Sequence, residues 1–138
     1  MSFREKSAWI FLISILLVAG FFFLHLPWTL NPPSNPAMVH ALFYCILVLV
    51  AVEAVAHVAV ALQAPEEAKA PKDERERLID YRAVRVAHYV YVIGSLGAVA
   101  TIHLEANKVA IGFLVLLAFV VGEIVKNLLR IAGHRGWM

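Results

Sequence analysis

The chain has 138 residues, of which 62% are hydrophobic, and its mean hydropathy is +0.78. A water-soluble domain of this length cannot bury so much apolar surface, so the composition indicates a single domain whose solvent is lipid. The net charge of +2, with basic and acidic residues interleaved, argues against a nucleic-acid partner. The single cysteine, Cys45, excludes an internal disulfide, and we interpret it as a small apolar residue of a membrane segment.

The first half of the chain predicts two membrane spans. The first covers about residues 8–26, and at about 1.5 Å per residue this length crosses a hydrocarbon core about 30 Å thick. We expect it to be retained, because it is bulky and no small-residue cleavage site follows it. The proline-rich loop at 27–36 cannot be a helix, and the second span covers about residues 37–62.

The second half of the chain predicts a charged linker and two further spans. The linker covers residues 64–82, and within it Asp73 and Glu76 have the spacing of a capping box. This pattern predicts a helix that begins in water and continues into the third span, at about residues 83–103. A short turn then leads to the fourth span, at about residues 109–131, so the last two spans form an antiparallel hairpin.

The basic residues predict the orientation of these spans. Eleven of the twelve lysines and arginines lie at the N-terminus, between residues 64 and 85, or near the C-terminal end, and Lys108 alone lies in the two opposite loops. The positive-inside rule therefore places both termini and the linker in the cytoplasm. The sequence predicts an all-α, integral membrane four-helix bundle with up-down-up-down topology, formed by residues 1–138 as one domain of a prokaryotic inner membrane.

Two carboxylates, Glu53 and Glu123, lie inside predicted spans. A charge at membrane depth costs about 2.5 to 3.5 kcal/mol even on insertion scales, so each carboxylate needs a partner. Glu53 and His57 are four residues apart and share a helix face. The predicted topology brings both of them to the same cytoplasmic-side depth as His88 and Glu123, and we call these four residues the inner layer.

The inner layer allows several chemical interpretations. Its two carboxylates and two imidazoles could ligate a divalent metal, relay a proton or bind a cationic solute. Haem is a further option, with either His57 and His88 or His40 and His103 as axial ligands. It fits less well, because the two histidines of each span do not share a helix face, as a bundle with two haems would require.

A purely structural interpretation of the inner layer is also open. Glu123 would pair with Lys126, and Glu53 would be protonated or bonded to His57, Tyr89 or Tyr91. Polar side chains would then only fix the register of the helices.

Two further sets of residues are candidates for binding. The first, here called the outer group, is predicted near the opposite membrane face and consists of His25, His40, His103 and Glu105. The linker is predicted to be a solvated cap and topology signal. Its functional alternative is docking to a cytoplasmic partner or to anionic lipid through Arg75, Arg82 and Arg85.

The linker also carries a resemblance to known proteins. The run Pro71-Lys72-Asp73-Glu74-Arg75-Glu76, followed by Ile79, Ala83, Arg85 and Ala87, resembles small bacterial and archaeal membrane proteins grouped as a domain of unknown function. The resemblance covers mainly residues 71–92 and, loosely, the layout of four spans. It implies an architecture and brings no activity.

The sequence gives little support to catalysis, because it contains no nucleophile elbow, phosphate loop, zincin motif or paired cysteine. We therefore expect a structural or interaction protein, or an accessory subunit, embedded in the lipid bilayer as a homo-oligomer or beside another membrane subunit. The alternative is an intramembrane metal-, proton- or solute-binding or transport protein that uses the inner layer. A haem-binding membrane protein is the second alternative.

Overall fold

The computed structural model of the chain describes residues 3–26, 29, 31–33, 36–63, 65–69, 71 and 73–136, and its fold is all-α. The helices are α1 (Phe3–Leu24), α2 (Pro36–Gln63), α3 (Pro65–Lys69), α4 (Glu74–Ala100) and α5 (Lys108–His134), with a 3-10 turn at Thr101–Leu104. As predicted, four helices are each long and apolar enough to cross a membrane: α1, α2, α4 continued by the 3-10 turn, and α5.

The start of α4 confirms the predicted capping box. The backbone N–H of Glu76 donates to Asp73 Oδ1 at 2.7 Å, and the backbone N–H of Asp73 donates to the Glu76 carboxylate at 3.2 Å. These two bonds satisfy donors that the first helical turn leaves without intrahelical partners. The helix therefore begins within the charged linker and runs without a break into the third predicted span.

Other boundaries differ from the sequence-based expectation. α1 begins at Phe3, about a turn before the predicted span, because Arg4 and Glu5 are paired with other helices and need not lie outside the helix. The short helix α3 lies within the linker, where no helix is predicted. Part of the proline-rich loop, residues 27, 28, 30, 34 and 35, lies outside the described residues.

The four long helices pack in a row. α5 packs against α4 on one side and α1 on the other, and α2 packs mainly against α1. Neighbouring helices run antiparallel, since Phe22 near the end of α1 meets Phe113 near the start of α5, and Ser7 near the start of α1 bonds His57 near the end of α2. The order across the fold is therefore α2, α1, α5, α4.

The buried side chains are concentrated where α1 meets α5. One cluster contains Ala8 and Leu12 of α1 with Ile131 of α5, and a second contains Phe22 and Phe23 near the opposite end of α1. Every described residue of α2 is at least partly exposed. The helix α2 is thus an edge helix, whereas α1 and α5 form the centre of the fold.

Small residues bring α4 and α5 together. A Cβ atom added to Gly94 would lie 2.5 Å from the Cβ of Ala118, and one added to Gly122 would lie 1.9 Å from a ring carbon of Tyr91. Side chains at these positions would push the helices apart, which is how small residues act between membrane helices. Gly97, three residues further along α4, has no atom of a described residue within 4 Å of an added Cβ and lies outside the contact.

Candidate functional site

Charged side chains converge at the end of the fold where α1 and α4 begin and α2 and α5 end. Three ion pairs join different segments there: Arg4 with Glu76, Glu5 with Arg135 at 3.0 Å, and Asp80 with Arg130 at 2.9 Å. We call these six residues the ionic collar. Each pair is half-buried. In the order given, the pairs join α1 to α4, α1 to the segment after α5, and α4 to α5. The ionic collar therefore fixes the relative register of these helices.

A polar cavity of about 300 Å³ lies within the ionic collar. Besides four collar residues it is lined by the side chains of Ser7, Ala8, Phe11, His57, Asn127 and His134. Asn127 is buried and donates from Nδ2 to the backbone carbonyl of Glu123 at 2.8 Å. Because cationic, anionic and neutral polar groups line the cavity together, it suits water better than an ion of one sign.

Glu53 and His57 of the predicted inner layer lie together on α2. His57 Nδ1 is 3.2 Å from Glu53 Oε2 and 2.8 Å from the Glu53 carbonyl oxygen, and His57 Nε2 is 2.6 Å from Ser7 Oγ. Both nitrogens of the imidazole are thus engaged. The two carboxylate oxygens of Glu53 are buried and accept no hydrogen bond from any residue that the structure describes.

Glu123 has a different set of partners from Glu53. Its carboxylate accepts hydrogen bonds from the Tyr91 hydroxyl at 2.6 Å and from Lys126 Nζ at 2.5 Å. The pairing of Glu123 with Lys126 is the one that the structural interpretation of the inner layer predicts. The Tyr91 bond joins α4 to α5, so Glu123 serves the contact between these two helices.

The structure does not bring the four inner-layer residues to one point. His88 is exposed on α4, where its described ring contact is with Tyr89, and α4 lies at the opposite edge of the fold from α2. Among the described residues no group of three or more His, Cys, Asp or Glu side chains could hold a metal ion. His57 and His88 lie on helices that are not packed together, so they are poorly placed to hold one haem.

The outer group also remains dispersed. His25 bonds the carbonyl oxygen of Phe21 through Nδ1 at 2.7 Å, and its ring packs at a tilt against the Phe21 ring, while His40, His103 and Glu105 are exposed. The polar contact that joins segments at this end is instead made by Asn107. Its side chain caps α5 and donates to the carbonyl of Pro32 at 3.0 Å.

The three arginines predicted to dock a partner have different environments. Arg75 donates to the backbone carbonyl of Gly133 at 3.4 Å, at the end of α5. Arg85 lies over the ring of Tyr81, 4.5 Å from its centroid, and bonds the hydroxyl of the same residue. Arg82 is exposed. Arg75 and Arg85 already make the contacts given above, so of the three Arg82 is the best placed to contact a partner or lipid headgroups.

Sequence reasoning missed Ser7, Tyr91 as the partner of Glu123, and the ion pair of Asp80 with Arg130. The last two had a usable signal, because the two residues of each pair are nearly equally far from the turn of the predicted α4–α5 hairpin and so lie at one depth. Ser7 had no such signal, since its role depends on the rotation of each helix about its axis.

Comparison of the chain with protein-family models, with curated proteins and with solved structures finds no match. The resemblance of residues 71–92 to membrane proteins of unknown function therefore stays a prediction. Within that stretch, Lys72 lies outside the described residues.

Proposed function

We propose that the chain is a multi-pass protein of a prokaryotic inner membrane, with both termini, α3 and the start of α4 in the cytoplasm. The charge distribution supports this sidedness. The ionic collar and the charged linker lie at one end of the fold, and Lys108 is the only lysine or arginine of the opposite loops. Such an asymmetry is typical of the cytoplasmic side of a membrane protein.

In this membrane the protein acts as a structural or interaction subunit that assembles with a second copy through α2. The observation that carries this proposal is the edge position of α2, whose described residues are all at least partly exposed and which packs mainly on one neighbour. Its outer face presents Leu47, Ala51, Ala54 and Val58, all exposed. Alternating small and large side chains allow two membrane helices to approach closely, which drives association where lipid removes the hydrophobic effect.

The ionic collar supports a structural role in this proposal. Its three pairs, together with that of Glu123 and Lys126, hold eight charged side chains at that end in contacts between or within helices. A rigid cytoplasmic end of this kind can present α3 and the exposed Arg82 to a partner. Partner docking through the linker and contact between copies through α2 are compatible, because the first uses α3 and Arg82 and the second uses the outer face of α2.

Cysteine cross-linking tests the proposed association. In a Cys45→Ala background, we expect Leu47→Cys on α2 to form an intermolecular disulfide when native membranes are mildly oxidised. Leu96→Cys on α4 is the matched control, because Leu96 is also exposed and apolar but belongs to the opposite edge of the fold. No cross-linked product from Leu47→Cys, together with a single-chain mass in lipid nanodiscs, would contradict the assembly.

A further inference from the structure

An apolar crevice of about 410 Å³ lies between α1, α2 and α5. Its walls are aliphatic and aromatic, with Phe11 and Phe22 from α1, Leu49 from α2 and Phe119 from α5. Among the described residues that line it, Glu53 is the only charged one. The volume falls within the range of about 300 to 1,000 Å³ that is usual for small-molecule sites.

Glu53 is an unusual wall residue for such a crevice. Its side chain is 13% exposed, and neither carboxylate oxygen accepts a hydrogen bond from the part of the chain that the structure describes. His57 Nδ1 lies 3.2 Å from Glu53 Oε2, but that ring also contacts the Glu53 carbonyl and the Ser7 hydroxyl. A buried carboxylate without hydrogen bonds is costly, so a cationic or donor group bound beside it would be stabilised.

The surroundings of Glu53 limit the chemistry of a ligand that could bind beside it. A divalent metal requires several oxygen or nitrogen ligands, and this crevice offers one carboxylate. A lipid acyl chain would fill the apolar walls but leave both carboxylate oxygens without a partner. An organic cation with an apolar body satisfies the carboxylate and the walls together, and the phenylalanine rings add cation–π attraction.

We propose that this crevice binds a lipophilic organic ammonium ion, with Glu53 as its counter-ion. The cationic group lies at the end of the crevice nearer the ionic collar, where Phe11 lines both the crevice and the polar cavity. The apolar body extends among Phe22, Leu49 and the other wall residues towards the middle of the membrane. His57 lines the polar cavity one helical turn after Glu53, so the bound charge lies at the boundary between the two cavities.

This inference goes beyond the proposed assembly and can fail separately from it. Glu53 and Leu49 belong to the face of α2 that turns towards α1 and α5, whereas Leu47 and Val58 belong to the outer face. Loss of the ammonium site therefore leaves the contact between copies in place, and loss of that contact leaves the ammonium site.

Equilibrium dialysis of the full chain in lipid nanodiscs tests the proposal, with protein-free nanodiscs as the background. The probes are 1-naphthylmethylammonium and 1-naphthalenemethanol, which share an aromatic body and differ in charge. We expect wild type to bind the cation at least tenfold more tightly than the alcohol. Glu53→Gln should abolish this preference, whereas Glu66→Gln, which removes an exposed carboxylate of α3, should retain it.

Several outcomes would overturn the proposal. These are equal binding of the two probes by wild type, an unchanged preference in Glu53→Gln, and a retained lipid that the cation does not displace, as seen by native mass spectrometry. An intermolecular disulfide through Leu49→Cys in the Cys45→Ala background would place a second copy in the crevice instead. If Glu53→Gln loses helix content, Leu49→Trp replaces it. This variant should weaken binding of both probes, and unchanged binding would count against the site.

Discussion

Replacing Glu123 with leucine is expected to lower the free energy of unfolding by about 3 kcal/mol, because it removes one member of a mostly buried ion pair. Lys126 keeps its charge in a side chain only 20% exposed, and the Tyr91 hydroxyl loses the acceptor that joins α4 to α5. The measurement is reversible unfolding in mixed detergent micelles, followed by circular dichroism.

A double variant separates the cost of leaving Lys126 unpaired from the other effects of placing leucine at position 123. Glu123→Leu combined with Lys126→Met removes both charges, and we expect it to recover more than half of the lost stability, since no unpaired charge remains. Glu66→Leu on the exposed face of α3 is the control and should change stability by less than about 0.5 kcal/mol. A double variant no more stable than Glu123→Leu would show that Lys126 is not left unpaired.

Gly94→Leu is expected to separate α4 from α5 and to cost about 3 kcal/mol of stability, the upper end of the range for overpacking. An added Cβ at this position would meet the Cβ of Ala118 at 2.5 Å and its Cα at 3.4 Å, so a backbone shift is the only relief. Unfolding in the same mixed micelles measures the loss.

Gly97→Leu provides a matched control on the same helix. No atom of the described residues lies within 4 Å of its added Cβ, and the gain in helix propensity is the same as at Gly94. The difference between the two variants therefore reports the α4–α5 contact alone. Equal stability of the two variants would contradict the close approach at Gly94.

The four long helices could be predicted from the sequence because each depends on a local signal. Long apolar runs set their number and approximate position, and the capping box at Asp73 set the start of α4 within one residue. The first residue of α1 was harder to predict from the sequence. Arg4 and Glu5 appear as polar flanks in the sequence, and only their partners in other helices show why they belong to the helix.

The sequence predicted how deep each candidate site residue lies along its helix. It did not predict which helices are neighbours across the fold. Glu53 and His57 were predicted to share a face because their spacing is a property of one helix, and they do lie together. Their grouping with His88 and Glu123 required the order of helices across the fold, which no local pattern contains. Once α1 and α5 occupy the centre, α2 and α4 are at opposite edges, and equal depth no longer implies proximity.

The apolar crevice had no sequence signal of its own. Its wall residues are ordinary members of apolar runs, and Phe22 or Leu49 would look the same if they faced lipid. The useful clue was Glu53, a carboxylate inside a predicted span, and the structure adds that its oxygens lack hydrogen-bond donors among the described residues.

The sidedness of the fold is tested most directly by labelling single cysteines in intact cells with a membrane-impermeant maleimide, in a Cys45→Ala background. Glu105→Cys lies in the turn between α4 and α5, and Glu66→Cys lies in α3, and both positions are exposed. We expect Glu105→Cys to be labelled in intact cells and Glu66→Cys to be labelled only after the cells are opened. Labelling of Glu66→Cys in intact cells, or equal labelling of the two positions, would contradict four crossings with a cytoplasmic ionic collar.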